Sequence, residues 1–369
     1  MSDFINGLTL SELFYVEAAR PILESHFPEV LHSAALIGWG SEVLGYDDLH
    51  STDHHWGPRF LLFLSDQDYK THHKAIVEAL SEDLPYRFRG YSTNFGPPDE
   101  GKVRLREDKE SGPVQHMICI ETIESFFGWY LGANPNGEIT KAAWLTFSEH
   151  KLRAVTGGKV FHDDLGLEVV RKKFSYYPRL IWLYQLSCQW KKIAEDEEFV
   201  GRCGDVGDEL GSMIIAARQI KKLMKLCFLM ERKYAPYSKW LGTAFSELKC
   251  AQELKPVFSA ALLAPSWQER EKHLCRAYEI VARLHNELHI TKPLDHKVSN
   301  YGGRPYLVIH GLRFGFAIWE TLAQEASRET IGQEDKGIKF DVGSVNQFVE
   351  SNDELSDIAL CKELRTLYE

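Results

Sequence analysis

The sequence predicts an α+β chain in two parts: a small sheet-containing domain over residues 1–125 and a mainly α-helical domain over 126–369. Three observations carry this. At 369 residues the chain exceeds what one hydrophobic core ordinarily spans, so two domains are the default. Within the first part, short apolar runs alternate with stretches of helical periodicity, as in a sheet covered by helices. From Ile123 onward helical spacing takes over, with no internal repeat and no low-complexity linker at the join.

Residues 8–26 place Leu8, Leu10, Leu13, Phe14, Val16, Ala19 and Ile22 near helical spacing, with Pro21 as the irregular point. Ser33-Ala34-Ala35-Leu36-Ile37-Gly38 reads as a strand running into the turn Gly38-Trp39-Gly40-Ser41. Glu42-Val43-Leu44 then forms a helical turn before Gly45. Phe60-Leu61-Leu62-Phe63-Leu64, bounded by Arg59 and Ser65-Asp66, has the continuous apolar character of a buried strand. Residues 68–84 fit a helix, 92–113 a polar loop and 114–122 another strand. Further on, 125–131, 145–155, 177–194, 209–234, 239–248 and 267–288 suit helices, and Asp163-Asp164-Leu165-Gly166 a turn inside a small hairpin.

Composition excludes several classes of function. Hydrophobic residues at 44% and charged residues at 26% describe an ordinary globular protein. A net charge of −10 opposes broad binding to a phosphate backbone, so nucleic acid is not the expected partner. Met1-Ser2-Asp3-Phe4 lacks the basic start of a leader, and no apolar run approaches the roughly 18 residues of a membrane span. The expectation is a cytoplasmic chain without a membrane partner. The seven cysteines are scattered without a CxxC pair, the pattern of buried thiols in a reducing compartment.

The chemistry concentrates between Gly40 and Arg59. A Gly40-Ser41 turn opening a short helix offers free backbone N–H groups and a positive helix end to a phosphate. A short spacer later comes Ser51-Thr52-Asp53-His54-His55-Trp56-Gly57-Pro58-Arg59. If a strand begins there, Asp53 and His55 point the same way and could hold one divalent cation against a triphosphate. Arg59 has the fork for bidentate phosphate contact, or serves a structural ion pair.

These motifs resemble the nucleotidyltransferase superfamily, whose pattern is Gly-Ser, a spacer, two carboxylates one residue apart and a third carboxylate on a later strand. The resemblance implies a mixed-sheet catalytic domain and a helical domain completing its cleft. Gly40 and Ser41 match the turn, Asp53 the first carboxylate, and Glu121 in Ile120-Glu121-Thr122 is the candidate third. His55 stands where the second carboxylate belongs, and magnesium prefers oxygen ligands, so manganese, an altered reaction or binding without turnover are alternatives. Over nearly its whole length the chain also resembles a family known as domain of unknown function 4037, placed within the same clan. The residues that carry this are the 51–59 motif, Tyr177-Pro178, Trp182-Leu183-Tyr184, Gln189-Trp190, the 207–212 segment and the 234–242 segment.

In the helical part, a helix from Asp205 would place Asp205, Asp208, Glu209 and Ser212 on one face. Asp208 or Glu209 could then deprotonate an acceptor hydroxyl, or simply favour the helix start electrostatically. Lys239, within Tyr234-Ala235-Pro236-Tyr237-Ser238-Lys239-Trp240, could reach a nucleotide or belong to a packed aromatic corner. The function implied is transfer of a nucleoside monophosphate from a nucleoside triphosphate to a small-molecule or protein acceptor, with magnesium or manganese as cofactor. The alternatives are a nucleotide- or ligand-binding regulator without transfer, and a fold recruited to another small-molecule reaction.

Overall fold

The β2 strand Arg59–Leu64 is buried at every residue and organises the sheet around it in the computed structural model, which describes residues 4–100, 103–329 and 342–369. Met1 to Asp3, read above for a leader, and Gly101 and Lys102 of the polar loop lie outside the described residues. The chain divides into two compact units, residues 1–139 with 150–175 and residues 140–149 with 176–369. The boundary at 125 expected from the change of pattern therefore falls inside the first unit.

The first unit opens with α1 (Gly7–Phe14), a π-helical turn (Tyr15–Ala19) and α2 (Arg20–His26). The single helix expected over 8–26 thus widens just before Pro21, which occupies the first turn of α2 where its missing N–H does no harm. β1 (His32–Leu36) follows, then β2, α3 (Asp66–Asp83), and a small hairpin of β3 (Arg87–Phe88) and β4 (Tyr91–Ser92). β5 (Met117–Thr122) leads directly into α4 (Ile123–Tyr130). The chain then contributes α5 (Lys141–Thr146) to the second unit and returns through α6 (Glu149–Thr156), β6 (Lys159–Asp163) and α7 (Leu167–Lys173).

The sheet order is β5-β2-β1-β6. β1 runs antiparallel to β2 with Ala34 opposite Leu62, and β2 runs parallel to β5 with Leu62 beside Ile120. β6 pairs antiparallel with β1 across a register shift between Ala34 and Ala35. One face buries Phe60, Leu62, Leu64, Ile118 and Ile120 against Leu10, Phe14, Tyr15, Ile76 and Leu80. On the other face Phe63 packs edge-on against Phe126, ring centroids 5.6 Å apart. Burying each such side chain contributes roughly 1.5–3 kcal/mol, which explains the unbroken apolar run of β2. The expected hairpin at 163–166 is instead a strand-to-helix turn: Asp163 accepts from Leu167 N at 2.7 Å and Glu168 N at 3.0 Å and so starts α7.

The second unit is helical: α8 (Arg179–Ala194), α9 (Phe199–Asp205), α10 (Glu209–Met230), α11 (Leu241–Phe245), α12 (Ala251–Leu263) and α13 (Trp267–Glu287), with a two-residue pairing of β7 (Ser299–Asn300) and β8 (Leu307–Val308) before α14 (Leu312–Glu329). Short helices α15 (Val345–Phe348), α16 (Asn352–Ser356) and α17 (Ile358–Glu363) end it. Among the described residues no helix is long and apolar enough to cross a membrane. The seven cysteines remain thiols.

Candidate functional site

Because β1 and β2 are antiparallel, the carboxyl end of β1 lies beside the amino end of β2, and residues 37–58 connect those two ends. Gly40 is in the left-handed region at φ +114°, and a Cβ there would collide with the Glu42 carboxylate and the Arg59 guanidinium. The helix expected after Ser41 is a single 3₁₀ turn, Glu42–Leu44, closed by Gly45 at φ +76°. A turn that short brings little dipole, so an anion would meet only the backbone of exposed Gly40 and half-buried Ser41.

Behind the turn, Arg59 is committed. Its Nε donates to Glu42 Oε1 at 3.0 Å, its Nη2 donates to the same oxygen, and Nη2 also reaches the Trp39 carbonyl at 2.7 Å. Both charged side chains are only 3% exposed. Arg59 thus forms the structural ion pair foreseen as the alternative to phosphate contact, with Nε and Nη2 turned to Glu42 and Trp39. Glu42 was not among the expected site residues; its place directly after Gly-Ser, with an arginine opening the next strand, was the available signal.

The 46–58 segment is braced by its other carboxylates. Asp47 accepts from Gly7 N at 2.6 Å and from Trp56 Nε1 at 2.9 Å. Asp48 caps the 3₁₀ turn Leu49–Asp53 in a capping box with Ser51. Asp53 therefore ends a turn and does not begin a strand, a correction to the expected alternation. Pro58 supplies no N–H and Gly57 adopts φ +145°, so the ladder starts only at Arg59. Asp53 is 67% exposed and its carboxylate lies 2.9 Å from His54 Nδ1. Slight burial acts to raise its pKa, but the hydrogen bond and charge of His54 outweigh it and hold the carboxyl below its ordinary value. His55 takes a left-handed conformation at φ +48° and donates its backbone N–H to Arg104 O at 3.1 Å. Burial and the nearby Arg59 keep its imidazole below the ordinary histidine value.

Glu121 shares a sheet face with Arg59 but lies opposite Phe63, four residues further along the parallel pair. At about 3.3 Å per residue that is roughly 13 Å from the strand's entry. The Cys119 thiol on the same face is pushed up to about 11 by burial and by Glu121. Among the described residues, the histidine, cysteine, aspartate and glutamate side chains close enough to hold an ion are His32, His162 and Asp164. Asp53, His55 and Glu121 are not among the three-ligand clusters of the described residues.

In the second unit the expected acidic face is divided. α9 ends at Asp205, Gly207 turns at φ +82°, and Asp208 caps α10 by accepting from Gly211 N at 2.8 Å. Glu209 accepts from Trp267 N at 3.2 Å and from Arg270 Nη1 at 3.1 Å. The Arg270 side chain is 2% exposed and also donates to Ser212 Oγ at 2.8 Å. Asp205 accepts from the Tyr306 hydroxyl at 2.9 Å. Gly204 is needed because a Cβ would enter the Trp267 ring. Lys239 lies exposed in the turn Ser238–Trp240, its Nζ 4.9 Å from the Trp240 ring centroid.

The segment that carries the Asp205–Ser212 corner and the Lys239 turn is also the one that comparison with known families picks out. Residues 144–241 match the family described as Domain of unknown function (DUF4037). The DUF4037 segment contains Tyr177-Pro178, the 207–212 corner and most of the 234–242 segment, whereas the Gly40–Arg59 region lies outside the match. Among solved structures the chain is similar to a nucleotidyltransferase-like protein from Exiguobacterium sibiricum 255-15, at 11% identity and a TM-score of 0.34, over 87% of this chain and 95% of that one. No curated protein matches.

Proposed function

We propose that the first unit is a nucleotide-binding module of the nucleotidyltransferase kind, in which the Gly40-Ser41 turn receives the phosphates and Asp53 carries the divalent cation, magnesium or manganese. The supporting observation is the shared sheet end: β1 delivers Gly40 and Ser41 where the 49–58 segment enters β2, so an exposed left-handed glycine and an exposed carboxylate border the same connection. In the reaction that follows, an acceptor oxygen attacks the α-phosphorus, the bond to the pyrophosphate oxygen breaks, and a nucleoside monophosphate is transferred to a small molecule or protein side chain. A second reading, binding without transfer, is favoured by one specific arrangement. Arg59 is sealed against Glu42, Asp53 is engaged by His54, and Glu121 lies far along β5.

Thermal-shift measurements with ATP, GTP, CTP and UTP, each with magnesium or manganese, test the proposal on wild type and Asp53→Ala. A nucleotide at about one hundred times its dissociation constant adds about 2.7 kcal/mol, a readable rise in Tm. A metal-dependent rise that disappears in Asp53→Ala supports the site. Release of pyrophosphate on adding candidate acceptors separates transfer from binding alone. No rise with any pair, or a rise untouched by Asp53→Ala, overturns it.

A further inference from the structure

At the opposite end of the same sheet, away from the Gly40 turn, His32 opens β1, His162 lies on β6, and Asp164 follows β6. One nitrogen from each imidazole and one oxygen from the carboxylate all lie within 4.8 Å of one another. The two rings stand 4.7 Å apart, centroid to centroid, at 40°. From this juxtaposition we propose that His32, His162 and Asp164 form a zinc site, with water completing the coordination.

Several features of the cluster favour a cation over a self-satisfied polar corner. His32 Nδ1 faces the Val30 carbonyl at 3.4 Å, which holds a proton on Nδ1 and leaves the Nε2 lone pair directed into the cluster. That lone pair accepts from the Tyr15 hydroxyl at 2.9 Å, a contact that a metal on Nε2 would displace. Asp164 is tethered to the first ligand, its N–H donating to the His32 carbonyl at 3.2 Å. His162 Nε2 and Asp164 Oδ2 are 2.8 Å apart, sharing one proton that a metal would replace. Arg20, the nearby cation, is paired with Glu24 at 2.7 Å.

The donor set decides the metal. Two imidazoles and one carboxylate suit zinc, whereas magnesium takes oxygen ligands and seldom nitrogen. Tetrahedral zinc with bonds of about 2.0–2.1 Å needs ligand atoms roughly 3.3 Å apart, so a small closure of the 162–164 turn completes the site. His162 and Asp164 are 24% and 35% exposed, which provides an entry path, while His32 is buried. The site is independent of the nucleotide proposal and shares no residue with it.

The experiment is equilibrium dialysis of the full chain against zinc chloride, with the metal counted by mass spectrometry, on wild type, His162→Ala and Asp164→Asn. Both substitutions fall at partly exposed positions, and circular dichroism checks that each variant is folded. Wild type should retain one zinc more than either variant, with affinity at that site lowered at least about tenfold. Cobalt should give wild type a visible absorption band that both variants lack. Zinc binding by wild type should also release a proton, seen as a buffer-dependent heat. No zinc retained by wild type, or the same count and affinity in a folded His162→Ala or Asp164→Asn, overturns the assignment.

Discussion

Replacing Glu42 with alanine probes a deeply buried charge pair of the first unit. Arg59 would keep the Trp39 carbonyl and the Trp39 ring, 5.6 Å from its guanidinium carbon, but no countercharge. With both side chains 3% exposed, solvent cannot screen the loss, and stranding one member of a buried pair costs about 3–5 kcal/mol. At about 2–4 °C per kcal/mol for a unit of this size, the melting temperature should fall on the order of 10 °C. Scanning calorimetry reads this directly. The companion variant Glu42→Leu with Arg59→Met removes both charges and should recover at least about 2 kcal/mol relative to the sum of the single changes. A Glu42→Ala loss below about 1 kcal/mol, with additive effects in the double variant, would refute the claim that Arg59 is structural. In that event Arg59 regains the phosphate-contact role, and Glu42→Ala should tighten nucleotide binding.

Other outcomes follow from single residues. Burial first, with Glu198 adding to it, lifts the Glu197 carboxyl from about 4.5 to about 7, although Ile309 N and Gly311 N donate to it at 2.9 and 3.1 Å. The folded state therefore holds this proton where the unfolded chain has released it. Stability should fall by about 3 kcal/mol as pH rises from about 4.5 to 7 and level off above, and Glu197→Gln should flatten that part of a denaturant-midpoint profile. Glu209→Gln should lower Tm by weakening the contact to buried Arg270, a loss of about 1–3 kcal/mol; unchanged Tm with abolished turnover would restore Glu209 as a base. Asp47→Ala strands Gly7 N and Trp56 Nε1 and should cost about 1–3 kcal/mol in chemical denaturation. Gly204→Ala should be more damaging than Gly242→Ala, because only the former drives a Cβ into another side chain, and relative expression and Tm measure the difference.

The sheet was legible because its signals are local. The apolar run of β2, the strand before Gly38 and the helical spacing before Leu84 depend on neighbours in sequence, and each element formed within a few residues of its expected bounds. The α+β class follows from the same local signals. α12 went unread because Pro256 lies inside it, where a proline ordinarily ends a helix. The site was legible only in part. The turn at Gly40-Ser41 was visible, but placing Asp53 on a strand ignored the Asp48-to-Ser51 capping box and the stop imposed by Pro58. The proposed helix face from Asp205 failed for a comparable reason, since Gly207 breaks the backbone before Asp208. What decides Arg59 is a partner 17 residues away, and Ser33 and Asp163, which join β1 to the His162 turn, are 130 residues apart. Such pairings belong to topology, which spacing along a chain does not encode.

The route of the backbone through the first unit has a consequence for synthesis. Its edge strand β6 arrives only after the chain has contributed residues 140–149 to the other unit. Until residue 163 has left the ribosome, β1 presents an unpaired row of backbone donors and acceptors along a strand of Ser33, Ala34, Ala35 and Leu36. An exposed apolar edge is a template for pairing with another chain. A fragment cut at residue 139 would carry that edge permanently and should self-associate, whereas one extending through residue 175 closes it. That edge is closed only when β6 docks on β1.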